Sequence, residues 1–274
     1  MPLPVIFTDL DGTLLDFNTY SSARALPAVT RLLARGIPIV LCSSKTRREQ
    51  FQYRTAFHLP DPFIVENGSA IYLPRGYFSP PAFAPAGLPN PADPYETIVL
   101  GTPAAEIRAH LVHIRAETGL NFSTYDDLPL PDICRITGLS PAQAEAARAR
   151  EYSATILTPL ARGDHARLTA ALASVGLQLL AGGRFHTVTG AGTDKGRAVR
   201  QMADFYRQKF GAIITLGLGD SANDRAMLAA VDHPYLVQKP DQTWEMDIPA
   251  TKIEGVGPEG WCKVAEQLLA QPRQ

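Results

Sequence analysis

The sequence predicts an α/β protein in which a doubly wound parallel sheet is interrupted by an inserted domain of α+β type. Short apolar runs alternate with amphipathic stretches at both ends of the chain, as strands and crossover helices of a parallel sheet do. Between these ends, a proline-rich stretch at residues 74–94 precedes shorter, half-polar strands alternating with helices. We therefore expect core segments at residues 1–84 and 187–274 and an inserted domain at residues 85–186.

The first core segment contains three predicted strands and two predicted helices. Residues 4–10 (PVIFTDL), 37–42 (IPIVLC) and 62–67 (PFIVEN) have the length and composition of buried strands. The helix at 21–36 carries Leu26, Val29 and Leu33 on one face, and Gly36 stands where a C-cap glycine belongs. A second helix is predicted at 45–59. This β-α-β-α-β order implies right-handed crossovers.

The second core segment continues the same alternation near the C-terminus. Helices are predicted at 194–210, 221–231 and 257–271, and strands at 211–220 and 235–238. In the inserted part we predict strands at 96–101 (ETIVLG), 121–127 (NFSTYDD) and 151–159 (EYSATILTP), and a strand pair within 177–190 around Gly182 and Gly183. Helices at 103–119, 140–150 and 163–176 complete an open sheet with helices on one face.

Composition excludes several classes of protein. The net charge of -1 supplies no field that would attract nucleic acid or an anionic membrane, and no apolar run reaches membrane-spanning length. Cys42, Cys134 and Cys262 lack the spacing of a disulfide framework or a zinc site, and the N-terminus has no secretory pattern. We expect a cytoplasmic protein; the oligomeric state stays open.

Two carboxylates leave the end of the first predicted strand. Asp9 and Asp11 are two residues apart, so both side chains can face one crevice, and Gly12 permits a sharp turn. Ligands of open α/β sheets bind at this edge. An ordinary Asp-Gly turn, with Asp11 capping a helix, would give the same local pattern.

A second acidic motif follows the strand at 211–220. Asp220 and Asp224 are one helical turn apart, and clustered carboxylates of this kind suit Mg²⁺. Helix capping is the structural alternative. A dinucleotide site is excluded, because GLGDSA lacks the third glycine of that motif.

Two further motifs could bind phosphate. Ser43, Ser44 and Lys45 follow the second strand, where hydroxyl and backbone N–H groups can hold phosphate oxygens. Lys195 opens a helix, a position at which its charge opposes the helix dipole. Taken alone, the serine motif is also typical of an ordinary N-cap, and Lys195 alone would be read as an exposed lysine.

These four motifs, in this order, resemble the haloacid dehalogenase (HAD) superfamily of phosphohydrolases, with its DxDGT, Ser/Thr, Lys and GDxxxD pattern. The resemblance implies a HAD core with a large α+β cap of the C2 type. The segments LCSSKT, VENGSAIYLP, GGRFHTVTG and GLGDSANDRAML are similar to the mannosyl-3-phosphoglycerate phosphatase family, which produces mannosylglycerate. Residues 154–156 are Ala-Thr-Ile, where that family is expected to have Glu-Pro-Phe.

The resemblance implies a role for each matching residue. Asp9 is the nucleophile and Asp11 the general acid and base. Mg²⁺ is held by Asp9, the Asp11 carbonyl and Asp220, with Asp224 in support, and phosphate is bound by Ser43 and Lys195. The substrate implied is a small phosphorylated sugar-glycerate, for which the expected binding residues are Ser44, Lys45, Asn67, Arg184 and Asn223.

Arg184 is expected to bind the glycerate carboxylate, because a guanidinium pairs bidentately with a carboxylate. Other readings stay open: a HAD phosphatase for glucosyl-3-phosphoglycerate, sucrose phosphate or trehalose phosphate, a phosphomutase, a receiver-like module, or a binding protein without activity. Asp11 and the large insertion disfavour the receiver module.

Overall fold

The computed structural model describes residues 2–78, 92–182 and 184–271. Its strands are β1 (Leu3–Thr8), β2 (Ile39–Cys42), β3 (Phe63–Val65), β4 (Ala70–Pro74), β5 (Tyr95–Val99), β6 (Ala154–Ile156), β7 (Leu177–Ala181), β8 (His186–Gly190), β9 (Ile213–Gly219), β10 (His233–Gln238) and β11 (Thr251–Val256). Its α-helices are α1 (Leu26–Leu33), α2 (Arg47–Phe57), α3 (Ala104–Thr118), α4 (Leu130–Thr137), α5 (Pro141–Arg148), α6 (Arg162–Ser174), α7 (Lys195–Phe210), α8 (Arg225–Leu228) and α9 (Pro258–Ala270).

The large sheet has eight strands in the order β11-β10-β9-β1-β2-β3-β4-β5. All neighbouring pairs from β11 to β3 are parallel, and β4 and β5 add two antiparallel pairs at one edge. Alternate residues of β1 serve the two faces: Ile6 packs with α1 and α9, whereas Val5 and Phe7 pack with α7. Helices therefore cover both faces, and the predicted doubly wound sheet is confirmed.

A second, antiparallel sheet of three strands has the order β6-β8-β7. Ile107 of α3 and Leu168 of α6 pack with Val188 of β8 in a separate apolar cluster. The chain enters this region after β5 and leaves it at the end of β8, and we call residues 100–190 the insertion. The strand pair predicted within 177–190 is confirmed as β7 and β8, while Gly183 lies outside the described residues.

Two predictions for the inserted part were wrong. ETIVLG is a strand, but as β5 it pairs with β4 of the large sheet and not with the small one. NFSTYDD forms a 3-10 turn at Tyr125–Asp127, because the Asp127 carboxylate accepts from the Thr124 N–H at 2.8 Å and ends the extended backbone.

The proposed domain boundaries stay a prediction, and the one between residues 84 and 85 lies outside the described residues, as does most of the proline-rich stretch. Strands β4 and β11 and helix α4 were not predicted. None of the helices in the described parts of the chain has the length and apolar character that a membrane crossing requires.

Candidate active site

Three aspartates meet beyond the carboxyl ends of β1 and β9. Asp9 follows β1, and its N–H donates to the Leu218 carbonyl of β9 across 2.9 Å. Asp220 follows β9 directly, and Asp224 lies one turn later. Carboxylate oxygens of the three aspartates lie within 4.8 Å of one another, and all three residues are buried. Parallel pairing of β1 and β9 thus brings together residues from opposite ends of the chain.

The turn after β9 is held by the Asp224 side chain. Its Oδ2 accepts from the N–H groups of Asp220 and Ser221 at 3.0 and 3.1 Å. Gly219 is required for this approach, because a Cβ there would lie 2.5 Å from the Asp224 Cβ. Asn223 braces the same turn, since its Oδ1 accepts from Ser221 Oγ at 2.8 Å.

Lys195 neutralises part of the charge on these aspartates. Its Nζ lies 2.6 Å from Asp9 Oδ1 and 2.6 Å from Asp224 Oδ1, and its side chain is fully buried. The lysine is the first residue of α7, whose N-cap Asp194 accepts from the Arg197 N–H at 2.7 Å. A cation at the N-terminus of a helix opposes the helix dipole, so helix stability does not explain the position of Lys195. The ion pairs with Asp9 and Asp224 explain it.

An excess of negative charge remains in the cluster. Burial raises the pKa of Asp9 to about 7 against the opposing effect of Lys195, and repulsion from Asp224 adds to the rise. Burial, followed by repulsion from Asp224 and Asp9, raises the pKa of Asp220 well above its ordinary value. Burial disfavours the Lys195 ammonium, but Asp224 and Asp9 outweigh it and raise the pKa of Lys195. Three carboxylates with one ammonium can accommodate a divalent cation, and oxygen donors fit Mg²⁺.

Asp11 makes a separate ion pair. Its Oδ2 is 2.9 Å from Lys45 Nζ, whereas its Oδ1 is buried and has no hydrogen-bond partner among the described residues. Burial raises the pKa of Asp11, and Lys45 acts in the opposite direction. Lys45 itself lies 4.9 Å from the Tyr20 ring centroid and 5.8 Å from that of Tyr53. One oxygen of Asp11 is therefore anchored, and the other is available to give or take a proton.

Ser43 and Asn67 follow the next strands, β2 and β3. The Ser43 N–H donates to the Ile64 carbonyl at 3.2 Å, and the Ser43 carbonyl accepts from the Asn67 N–H at 3.0 Å. Asn67 has a left-handed backbone with φ 59°, and its Oδ1 is buried without a hydrogen-bond partner in the described chain. The Ser44 carbonyl accepts from Arg150 Nη1 of the insertion at 3.3 Å. Neighbouring parallel strands thus place the predicted core residues along one edge of the sheet.

Arg184 makes its hydrogen bonds within the insertion. Its Nη1 donates to the Thr137 carbonyl at 2.8 Å and its Nη2 to the Ile136 carbonyl at 3.0 Å, at the C-terminal end of α4. None of the contacts described for residues 2–78, 92–182 and 184–271 joins Arg184 to the aspartate cluster. Its role in binding a carboxylate stays a prediction.

Sequence reasoning missed two residues at this edge. Thr13 Oγ1 donates to Asp220 Oδ1 at 3.1 Å, which links the two acidic motifs. The Glu66 carboxylate accepts from the N–H groups of Glu151 and Tyr152 of the insertion at 2.9 and 3.1 Å. The threonine of DGT could have been singled out. The Glu66 contacts have no local signal, because their donors are far along the chain.

Similarity to known proteins shows the family to which this chain belongs. The haloacid dehalogenase-like hydrolase family matches residues 6–78. A protein from Methanococcoides burtonii, named glucosyl-3-phosphoglycerate/mannosyl-3-phosphoglycerate phosphatase, is 39% identical over 270 residues, which cover 97% of both chains. The chain belongs to the haloacid dehalogenase-like hydrolases. A hydrolase of the same name from Persephonella marina is 35% identical over 271 residues, again 97% of both chains.

Solved structures of other proteins share the fold of this chain. A phosphatase of this superfamily from Bacteroides thetaiotaomicron aligns with a TM-score of 0.68 at 18% identity, covering 97% of this chain and 95% of that one. A protein from Thermoplasma acidophilum aligns with a TM-score of 0.68 at 14% identity, covering 99% and 100% of the two chains. These structures confirm the predicted fold. The family match and the two phosphatases of 39% and 35% identity confirm the predicted family and show that this chain is a phosphatase.

Proposed function

We propose that this HAD phosphatase is a magnesium-dependent phosphomonoester hydrolase that acts through an aspartyl phosphate. The proposed substrate is mannosyl-3-phosphoglycerate, hydrolysed to mannosylglycerate, with glucosyl-3-phosphoglycerate as the alternative. The main support for the proposal is the similarity, over nearly the whole chain, to two phosphatases whose names include both mannosyl- and glucosyl-3-phosphoglycerate. The buried carboxylates and Lys195 beyond β1 and β9 support the chemistry.

Asp9 is the proposed nucleophile. A carboxylate oxygen of Asp9 forms a bond to phosphorus while the bond from phosphorus to the glycerate oxygen breaks. Lys195 holds Asp9 Oδ1 at 2.6 Å, so Oδ2 is the oxygen we assign to the attack. Asp11 gives its proton to the departing oxygen; its Oδ1, which has no hydrogen-bond partner in the part of the chain that the structure describes, is suited to this step.

Hydrolysis of the aspartyl phosphate completes the proposed reaction. A water molecule attacks phosphorus, the bond from phosphorus to Asp9 breaks, and Asp11 takes the proton of that water. Inorganic phosphate leaves, and Asp9 returns to its carboxylate form. Ser43 and Lys195 bind the oxygens of the phosphoryl group through both steps.

Asp9, the Asp11 carbonyl, Asp220 and Asp224 are the residues that would hold Mg²⁺. The fit rests on the clustered carboxylate oxygens and on their excess negative charge. When bound, the cation supplies positive charge that offsets repulsion between the Asp9 carboxylate and a phosphate dianion.

The insertion is the proposed cap, which excludes water and contacts the organic part of the substrate. Ser44, Lys45, Asn67, Arg184 and Asn223 remain the proposed substrate-binding residues. The assignment of Asn67 is supported by its buried Oδ1, which lacks a hydrogen-bond partner among residues 2–78, 92–182 and 184–271. The three free cysteines fit a reducing compartment, and the cytoplasm stays part of the proposal.

The experiment is a substrate comparison with the purified chain in Mg²⁺ buffer. Release of inorganic phosphate is measured for mannosyl- and glucosyl-3-phosphoglycerate, sucrose phosphate, trehalose phosphate and p-nitrophenyl phosphate. We expect kcat/KM for one or both sugar-phosphoglycerates to exceed the other values by about 10²-fold or more, because binding sites built for polar groups reject analogues that lack them.

Higher activity on sucrose or trehalose phosphate would contradict the proposed substrate while leaving the phosphatase chemistry intact. An isomeric sugar phosphate in place of inorganic phosphate would identify a phosphomutase. Absence of any turnover would identify a binding protein.

A further inference from the structure

Three consecutive residues after β3 have left-handed backbones. The φ angles of Glu66, Asn67 and Gly68 are 48°, 59° and 92°. Residues other than glycine rarely adopt this backbone conformation, and where they do, contacts with the surrounding structure stabilise it. At Gly68 the reason is contact, because a Cβ would lie 2.1 Å from the Asp194 carbonyl oxygen next to Lys195. The turn is therefore pressed against the start of α7.

The backbone of the same turn is bonded to the loop of residues 43–46, which contains the proposed phosphate ligand Ser43. The Glu66 N–H donates to the Lys45 carbonyl at 3.1 Å, and the Asn67 N–H donates to the Ser43 carbonyl at 3.0 Å. Ser43, Lys45 and Asn67 are thus connected through main-chain atoms that the left-handed backbone directs toward them. Glu66 occupies a fixed place relative to the residues that we assign to the phosphoryl group.

The Glu66 side chain leaves the core and binds the insertion. The residue is completely buried, and its carboxylate accepts from the Glu151 N–H at 2.9 Å, the Tyr152 N–H at 3.1 Å and the Ser153 hydroxyl. Both oxygens are used: Glu151 donates to Oε1, and Tyr152 and Ser153 donate to Oε2. Two of the three donors are backbone N–H groups. The carboxylate therefore fixes the position of the main chain at residues 151–153.

Neighbouring contacts extend this attachment along the insertion. Arg150 Nη1 donates to the Ser44 carbonyl at 3.3 Å and to Ser153 Oγ at 3.0 Å. Thr46 Oγ1 donates to the Ala146 carbonyl at 2.8 Å. Residues 146–153 therefore lie against the loop of residues 43–46, and Glu66 holds the end of that segment that enters β6.

We propose that Glu66 is a positioning residue for the phosphatase reaction, which fixes residues 151–153 of the insertion relative to Ser43, Lys45 and Asn67. It sets the distance between the groups that bind phosphate and those that contact the organic part of the substrate. The inference rests on the proposed function. It predicts a loss that is selective for substrates large enough to reach both the core and the insertion.

The test uses Glu66→Gln and Ser153→Ala, singly and together. Glutamine at position 66 keeps the size of the side chain, but its NH₂ group faces a hydrogen-bond donor that the carboxylate accepted from. Alanine at position 153 removes the hydroxyl donor of the insertion. Glu145→Gln and Ser174→Ala are matched controls, because Glu145 is exposed on α5 and Ser174 Oγ donates to the Ala171 carbonyl of its own helix, α6. For each variant, kcat/KM is measured for the better sugar-phosphoglycerate and for p-nitrophenyl phosphate.

We expect the ratio of the two kcat/KM values to fall by about tenfold or more in Glu66→Gln and in Ser153→Ala, since a small displacement of binding groups costs rate for the substrate they hold. The loss in the double variant should be smaller than the sum of the two single losses, because both changes remove the hydrogen bond between Ser153 Oγ and the Glu66 carboxylate. Hydrogen exchange at the Glu151 and Tyr152 amides should be faster in Glu66→Gln. Both controls should keep the wild-type ratio.

A ratio within about twofold of the wild-type value in both test variants, or additive losses in the double variant, would overturn the proposal. If Glu66→Gln does not fold, Ser153→Ala decides the outcome alone by the same ratio. If the wild-type chain does not hydrolyse sugar-phosphoglycerates, the proposed substrate is wrong, and the ratio is measured with the best sugar phosphate found.

Discussion

The Lys195 ammonium lies 2.6 Å from Asp9 Oδ1, and both side chains are almost fully buried. The same ammonium lies 2.6 Å from Asp224 Oδ1, so one lysine joins the residue after β1 to the turn after β9. A buried ion that loses its partner is costly, because water cannot replace the lost interaction. The contact therefore links the stability of the core to its chemistry.

Replacement of this lysine should destabilise the protein strongly. Lys195→Met leaves three buried carboxylates without their cation, and we expect the free energy of unfolding to fall by about 3–5 kcal/mol. Urea unfolding in EDTA measures the loss, and added Mg²⁺ should recover part of it. Lys263→Met is the matched control, because Lys263 is half-exposed and pairs with Glu259 at 3.8 Å on the helix surface. Equal stability of the two variants would contradict the assignment.

The stability of the metal-free protein should depend on the protonation of Asp9. The pKa of Asp9 is raised from 3.8 to about 7, so the folded state binds the proton more tightly than the unfolded state. The stability gained from protonation is complete below pH 3.8 and is lost as pH rises to about 7. Asp9→Asn removes this effect.

In EDTA, the stability of Asp9→Asn relative to the wild type should therefore increase between about pH 4 and about pH 7, by up to about 4 kcal/mol. Urea unfolding at a series of pH values measures this difference. In Mg²⁺ the difference should shrink, because the cation takes the place of the proton. A pH-independent difference in EDTA would show that Asp9 is ionised throughout.

Arg184→Ala separates two roles of one guanidinium. Loss of its bonds to the Ile136 and Thr137 carbonyls should cost about 1 kcal/mol of stability. The predicted contact with the glycerate carboxylate adds a loss of about 2 kcal/mol in kcat/KM for mannosyl-3-phosphoglycerate, with p-nitrophenyl phosphate hydrolysis nearly unchanged. If both substrates are affected equally, Arg184 stabilises α4 and does not bind the carboxylate.

The sequence predicted five parallel strands of the large sheet, β1, β2, β3, β9 and β10, because buried parallel strands have a strong local signal. The runs around Val5, Val40 and Ile64 are apolar throughout, and each is followed by a helix or a turn. The pattern failed where side chains compete for the backbone. NFSTYDD was predicted as a short, half-polar strand, but the Asp127 carboxylate accepts hydrogen bonds from the Thr124 N–H and Oγ1, and these bonds form a turn.

Residues at the strand ends were predictable for the same reason. Asp9 and Asp220 each follow an apolar run directly, and parallel strands bring such ends together. Glu66 was missed because its carboxylate binds donors 85 to 87 residues away, and its own neighbourhood indicates only a turn. The assignment of β5 to the large sheet was missed because the sequence of a short strand does not indicate which strand it pairs with.

The central claim is that the phosphoryl group passes through Asp9, and chemical trapping tests it most directly. The wild-type chain is mixed with substrate and Mg²⁺, quenched in acid within the first turnover, and treated with borohydride, which reduces an aspartyl phosphate to homoserine. Mass spectrometry of the N-terminal peptide should find homoserine at position 9, in amounts that depend on substrate and vanish in EDTA. Homoserine or phosphate at another residue, or turnover without any modification of Asp9, would contradict the account.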